Sequence, residues 1–221
     1  MKDWAIIFDV DGVLLKLTRA EEELFFQPFA KRIDATLLSR DWNSYSIRND
    51  EDIVREIVER YGLSATEASI ITAEYLLLLE RELNGTLKTE PVVGAERLIG
   101  EFTDIAKLGI ATANFREAAR LRLQQAQMWS PVSELAYGAD GGGHKTAILG
   151  RAIAASGIPT SRIIFIGDNV SDVKAGLSNN VHFIGFSSDA ARRKALEAAG
   201  ATRLCANHTQ TCLAIQRILN A

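Results

Sequence analysis

The chain has 221 residues, 47% of them hydrophobic, and a formal net charge of −3. That length and apolar content suit one sizeable buried core with an inserted or appended subdomain, and exclude a disordered chain. No long Lys/Arg run marks a nucleic-acid or anionic-membrane partner, and no apolar run reaches the roughly 20 residues that span a bilayer.

In chain order, the first expected element is a strand at Trp4–Phe8, running into "DVDG" at Asp9–Gly12. Asp9 and Asp11 interrupt the N-terminal apolar stretch, which lacks the basic-then-small layout of a signal, so a cytoplasmic protein is expected. From about Leu17 to Leu87 no strand pattern occurs. Ile53, Val54, Ile57, Val58 and Tyr61 instead form one apolar face of a helix stopped by Gly62. Ser64 and Glu67 give a capping-box pattern opening a long helix toward Asn84 and Gly85. Beyond it, strands are expected at Leu108–Thr112, Glu134–Tyr137, Arg162–Ile166, Val181–Phe186 and Thr202–Cys205, alternating with amphipathic helices. Near-continuous Ile, Val, Leu and Phe suits strands covered on both faces, so the fold class is α/β, a doubly wound Rossmann-like parallel sheet. The expected division is a core of residues 1–16 and 88–221 with an all-helical insertion at 17–87. Cys205 and Cys212, without CxxC spacing, read as buried free thiols. No interface signature distinguishes a monomer from a homodimer.

Ligands of an open α/β sheet bind at the carboxyl ends of the strands. There the sequence gathers Asp9 and Asp11 after the first strand, Thr112-Ala113-Asn114 after the second, Lys145 at the helix beyond the third, and Asp168 and Asp172 in "GDNVSD" after the fourth. Four acids on one rim repel one another unless a cation sits among them, and hard oxygen donors select Mg²⁺. Lys145, Thr112 and free backbone N–H groups at the following helix N-terminus then suit a phosphate.

"FDVDGVL", "GIATAN", Lys145 and "GDNVSD", in that order, resemble the four motifs of the haloacid dehalogenase superfamily of phosphohydrolases. The insertion after the first motif looks like the helical cap of its phosphoglycolate-phosphatase and β-phosphoglucomutase branch, and "PVVGAERL" resembles the return segment. The resemblance implies that Asp9 is the nucleophile forming an aspartyl-phosphate, and Asp11 the general acid and then base. It implies a Mg²⁺ site of Asp9, the Asp11 backbone carbonyl and Asp168, with Asp172 as a further ligand or close partner. Lys145, Thr112, Ala113 and Asn114 would hold the phosphoryl group. Arg48 and Asn49, just before a helix start, look like the cap loop that presents an arginine to substrate. The third motif departs from the common form, since Lys145 follows His144 with no neighbouring proline.

The reading is therefore a Mg²⁺-dependent phosphomonoester hydrolase acting on a small organic phosphate. Its rivals are a phosphomutase of the β-phosphoglucomutase type and a non-catalytic regulator on a phosphatase fold, which intact acids and lysine disfavour. Halide displacement needs no proton donor, so Asp11 disfavours a dehalogenase. An EF-hand starting at Asp9 fails at Val13, Leu14 and Ala20, and "GADGGGHKT" lacks the Gly before Lys that a P-loop requires. The scattered His144, His182 and His208 read as surface or satisfied residues, with His144 set apart by its place beside Lys145.

Overall fold

The computed structural model describes residues 2–221. Its strands are β1 (Ala5–Phe8), β2 (Leu15–Lys16), β3 (Glu90–Pro91), β4 (Lys107–Ala111), β5 (Leu135–Tyr137), β6 (Ile163–Gly167), β7 (His182–Phe186) and β8 (Leu204–Cys205). The helices are α1 (Arg19–Phe26), α2 (Asp50–Arg60), α3 (Ala65–Asn84), α4 (Ala95–Phe102), α5 (Arg116–Gln125), α6 (Trp129–Val132), α7 (Lys145–Ser156), α8 (Val170–Ser178), α9 (Ala190–Ala198) and α10 (His208–Leu219).

Six strands form a parallel sheet in the order β5-β4-β1-β6-β7-β8. The winding reverses at β1, so its carboxyl end opens at a topological switch point, where such sheets bind ligands. Both faces are covered, and strand alternation divides the core. Ile6 and Phe8 pack with Ile110, Ile166 and Phe102 on one side, while Ala5 and Ile7 pack with Phe165, Ile148 and Leu149 on the other. All six expected strands are present, each within two residues of its expected bounds.

A second, two-stranded antiparallel sheet was not anticipated. β2 pairs with β3 through Leu15↔Pro91 and Lys16↔Glu90, joining the two points where the chain leaves and re-enters the main sheet's domain. Between them lie α1, α2, α3 and three short 3₁₀ turns, with their own apolar cluster of Phe25, Phe26, Phe29, Ile57, Ile71 and Leu79. Phe115, Ala118 and Leu121 of the α5 segment complete that cluster, so α5 belongs to both layers.

One helix start differs from expectation. Ser64 caps α3 by accepting from Glu67 N, but the reciprocal half of the box is missing, because the Glu67 carboxylate accepts from Arg32 Nε instead. Reciprocal boxes occur at Thr18/Glu21 and Asn169/Asp172. Cys205 and Cys212 are buried free thiols, and burial pushes Cys212 up to about 11. No helix among the described residues is long and apolar enough to cross a membrane.

Candidate active site

Buried β1 delivers Asp9 and Asp11 to the switch point. The Asp9 amide donates to Ile166 O of β6 at 2.9 Å, extending the sheet by one residue and fixing the carboxylate against the neighbouring strand end. Gly12 then turns with φ +80°, and a Cβ there would lie 2.2 Å from Asp168 Oδ2. Gly167 is equally constrained, since its Cβ would meet Asp172 Cβ at 2.3 Å. The glycines of "DVDG" and "GDNVSD" thus let the two strand ends close on one another.

Asp9, Asp168 and Asp172 each offer a carboxylate oxygen, all within 4.8 Å of one another, and all three residues are buried. Lys145, first residue of α7, reaches in with its Nζ 2.7 Å from Asp9 Oδ1 and 3.0 Å from Asp172 Oδ1. Asp172 Oδ2 accepts from the amides of Asp168 at 3.2 Å and Asn169 at 3.0 Å. Asn169 is the N-cap of α8.

Burial is the main force on these acids. It raises the Asp9 carboxyl well above its ordinary value against the pull of Lys145, with Asp172 and Asp168 adding to the rise. Burial and Asp172 push Asp168 up to about 7. Burial works against the Lys145 charge, but Asp172 and Asp9 outweigh it and hold the ammonium above its usual range. One lysine therefore undercompensates three carboxylates. Among the described residues a second cation pairs with this cluster, Arg192 of α9, half exposed at 50%, with Nη1 3.1 Å from Asp168 Oδ2. Nothing in the sequence marked Arg192, whose backbone amide donates to the Asp189 N-cap at the start of α9. An all-oxygen donor set with excess negative charge fits a hard divalent cation.

The second motif departs from expectation in one respect. The amides after Thr112 were expected to be free, yet Asn114 N donates to Thr112 Oγ1, Phe115 N to Asp50 Oδ2 at 2.8 Å, and Arg116 N to Asp140 Oδ2 at 2.7 Å. α5 has apolar Phe115 at its N-cap position with no capping side chain of its own, so carboxylates from α2 and the Gly138–Gly143 loop satisfy its end. Of these amides, that of Ala113 remains unengaged among the described residues. Thr112 is buried with its hydroxyl beside Asn114 Oδ1.

Arg48 and Asn49 separate in role. Arg48 is exposed, bonds Asn43 Oδ1 at 3.0 Å, and lines the same cavity as Asp9. Asn49 is buried, and its polar atoms are occupied: Oδ1 accepts from Asp52 N, while Nδ2 donates to Asp52 Oδ2 and Gly143 O. It caps α2 and clasps the loop before Lys145, and like Arg48 it lines the cavity. His144 is exposed. His208 is buried against Val13 O, with its ring stacked on Phe186.

Sequence reasoning missed Arg122. This α5 arginine is 2% exposed, with Nη2 2.8 Å from Asp11 Oδ1 and Nε 2.7 Å from Glu21 Oε1. A lone Arg inside a helix pattern reads as a solvated face, and only the packing of α1 on α5 reveals otherwise. Above the acids lies a cavity of ≈ 400 Å³, floored by Asp9, Asp11, Lys145 and Asp168 and walled by Trp42 and Tyr75. That volume suits a small organic molecule.

The fold recurs widely among solved structures. A β-phosphoglucomutase from Clostridium difficile superposes with TM-score 0.73 at 18% identity, covering 100% of this chain and 98% of that one. A predicted phosphatase from Clostridium acetobutylicum gives 0.71 at 19% identity over 100% of both chains. A hydrolase from Pseudomonas syringae gives 0.70 at 18%, covering 97% of this chain and 99% of its own. No curated protein matches the chain significantly. The family model for haloacid dehalogenase-like hydrolases matches residues 5–179, spanning every motif from "DVDG" to "GDNVSD". The chain belongs to the haloacid dehalogenase-like hydrolases.

Proposed function

We propose that the protein is a Mg²⁺-dependent phosphomonoester hydrolase acting on a small organic phosphate through an aspartyl-phosphate. The observation that carries this reading is the convergence of Asp9, Asp168, Asp172 and Lys145 beneath one cavity, with Asp11 two residues from Asp9. Residues 1–16 and 88–221 serve as the catalytic core and 17–87 as a cap that shields the reacting group from water.

Asp9, the backbone carbonyl of Asp11 and Asp168 would hold Mg²⁺, which when bound supplies charge neutralisation for the phosphoryl oxygens. Asp172 Oδ2 is held by the Asp168 and Asn169 amides, while its buried Oδ1, 3.0 Å from Lys145 Nζ, has no hydrogen-bond donor among the described residues, so Asp172 would serve as a further ligand or a close partner of that ion. Lys145, the Thr112 hydroxyl, the Ala113 amide and the Asn114 side chain orient the phosphoryl group. An Asp9 carboxylate oxygen attacks phosphorus. As the bond to the leaving oxygen breaks, Asp11 gives that oxygen its proton. Water then attacks the phosphorus of the aspartyl-phosphate and yields its proton to Asp11, and the bond to Asp9 breaks to release phosphate and the free carboxylate. Arg48, exposed in the cavity wall, meets an anionic group on the substrate's organic portion.

A panel of phosphorylated metabolites assayed for phosphate release tests the reading. Turnover is expected with Mg²⁺ and without any bisphosphate activator, and is expected to be poor with Ca²⁺, whose larger coordination shell disturbs in-line geometry. A bisphosphate requirement with no net release would identify a mutase. Rapid-quench with an activated aryl phosphate should show phosphoenzyme accumulating in Asp11→Asn and none in Asp9→Asn. Phosphorylation of the Asp9→Asn protein at another residue would remove Asp9 as nucleophile.

A further inference from the structure

The buried guanidinium of Arg122 sits between the carboxyl of the first motif and the first helix of the insertion. It pairs with Asp11 by charge at 2.8 Å without an aligned hydrogen bond, and it donates to Glu21 Oε1 at 2.7 Å, to Lys16 O at 3.1 Å and to Asn114 Oδ1 at 3.3 Å. It therefore touches the first motif, the β2–β3 ribbon, the second motif and α1 at once. Glu21 is anchored in turn. Its Oε2 accepts from both Thr18 N and Thr18 Oγ1 at 2.8 Å, closing the capping box that starts α1. An unbroken polar chain thus runs from the Asp11 carboxyl through Arg122 and Glu21 to the N-terminus of α1.

A fully buried arginine is costly unless its charge is met. Here burial works against the guanidinium charge, and Asp11 and Glu21 more than offset it, holding the group above its ordinary range. The directional bonds of the guanidinium fork to Glu21, Lys16 O and Asn114 hold its charge at a fixed point against Asp11, which a lysine ammonium would not do. If the pair served only to dock α1 on the core, Glu21 and Arg122 would suffice. The added ion pair with Asp11, at 2.8 Å, brings the carboxyl that flanks the nucleophile into the same clasp.

We propose that Arg122 is a positioning residue that holds the Asp11 carboxyl in line with the leaving oxygen, and that Glu21 makes this alignment depend on the seating of α1. The proposal rests on Asp11 being the proton donor. Proton donation matters for alkoxide leaving groups and little for activated phenolates, so a misaligned donor steepens the dependence of kcat/KM on leaving-group pKa.

The test compares wild type, Arg122→Lys, Glu21→Gln and Asp11→Asn on a series of phosphate monoesters from dinitrophenyl to alkyl, with folding checked by circular dichroism. Complete loss of acid catalysis is worth on the order of 10²- to 10⁴-fold, so misalignment in Arg122→Lys is expected to cost about 10- to 100-fold on alkyl phosphates. On dinitrophenyl phosphate the same variant's kcat/KM, which reads the phosphorylation step alone, should stay within about 2-fold of wild type. Glu21→Gln should shift the slope in the same direction by less, and it supplies the measurement should Arg122→Lys fail to fold. An equal loss across the series in the folded variants, with Asp11→Asn steepening as expected, would reduce Arg122 to a structural clasp and overturn this inference alone. A flat Asp11→Asn profile would remove Asp11 as donor and overturn both readings.

Discussion

Asp50 is a carboxyl buried for its hydrogen bond rather than for its charge. First residue of α2, it accepts from Phe115 N while its own amide donates to Ala113 O at 2.9 Å, so it locks the insertion to the second motif. Burial pushes it up to about 7 from 3.8, with the Phe115 amide pulling the other way. The native state therefore binds the proton more tightly than the unfolded chain. The stability that Asp50 contributes is full below about pH 4, falls as pH rises, and is gone above about 7. Asp50→Asn keeps the acceptor and removes the charge. Relative to wild type it should be more stable at pH 8, by on the order of a few kcal/mol, with the difference shrinking toward pH 5. Thermal melts of both proteins across that range check this, and a difference independent of pH would contradict the buried-charge account. At this scale Asp9, Asp11, Asp168 and Lys145 were legible because acids at strand ends break an apolar pattern. Asp50, Arg122 and Arg192 were not, because each draws its meaning from a partner distant in sequence that only packing supplies.

The six strands of the main sheet were legible because double burial forces a continuous β-branched and aromatic run, which no other half of the pattern resembles. The β2–β3 ribbon was not, since two residues per strand leave no periodicity to read. The start of α5 also hid itself: Phe115 carries no capping group, and the acids that serve it come from α2 and the loop before Lys145. α2 returns the same kind of contact. Asn49 caps its own helix and donates to Gly143 O, while Gly143 N donates to Asp52 Oδ2 at 2.7 Å and Gly141 N to Glu51 Oε2 at 2.6 Å. The N-terminus of α2 is thus the element that fixes the glycine loop leading into α7, whose first residue is Lys145. Asn49→Ala removes the cap and the clasp together, so a loss of about 1–2 kcal/mol is expected in urea unfolding. An unchanged midpoint would show that the Asp52 and Glu51 bonds hold this junction without it.

Across the whole molecule, the sheet, the insertion and the loops concentrate negative charge at one point, and the fold bears that strain when no cation relieves it. Asp168 rises to about 7 mainly through burial and Asp172, so in its ionised form above that pH it destabilises the native state. A divalent ion held by Asp9 and Asp168 would bind the folded chain and not the unfolded one, stabilising it by about 2.7 kcal/mol at a hundredfold excess over Kd. For a chain of this size that corresponds to a rise in Tm of about 5–10 °C. Asp168→Asn should act oppositely in the two conditions: at pH 8 in EDTA its Tm should exceed that of wild type, because one buried charge is gone, whereas its Mg²⁺ increment should vanish. Ca²⁺ separates binding from chemistry, since it should raise the wild-type Tm through the same oxygens while supporting little turnover. Scanning calorimetry of both proteins in EDTA, Mg²⁺ and Ca²⁺ reads these outcomes without any substrate. An equal Mg²⁺ increment in wild type and Asp168→Asn would place the ion elsewhere and leave the three carboxylates to be explained by Lys145 and Arg192 alone.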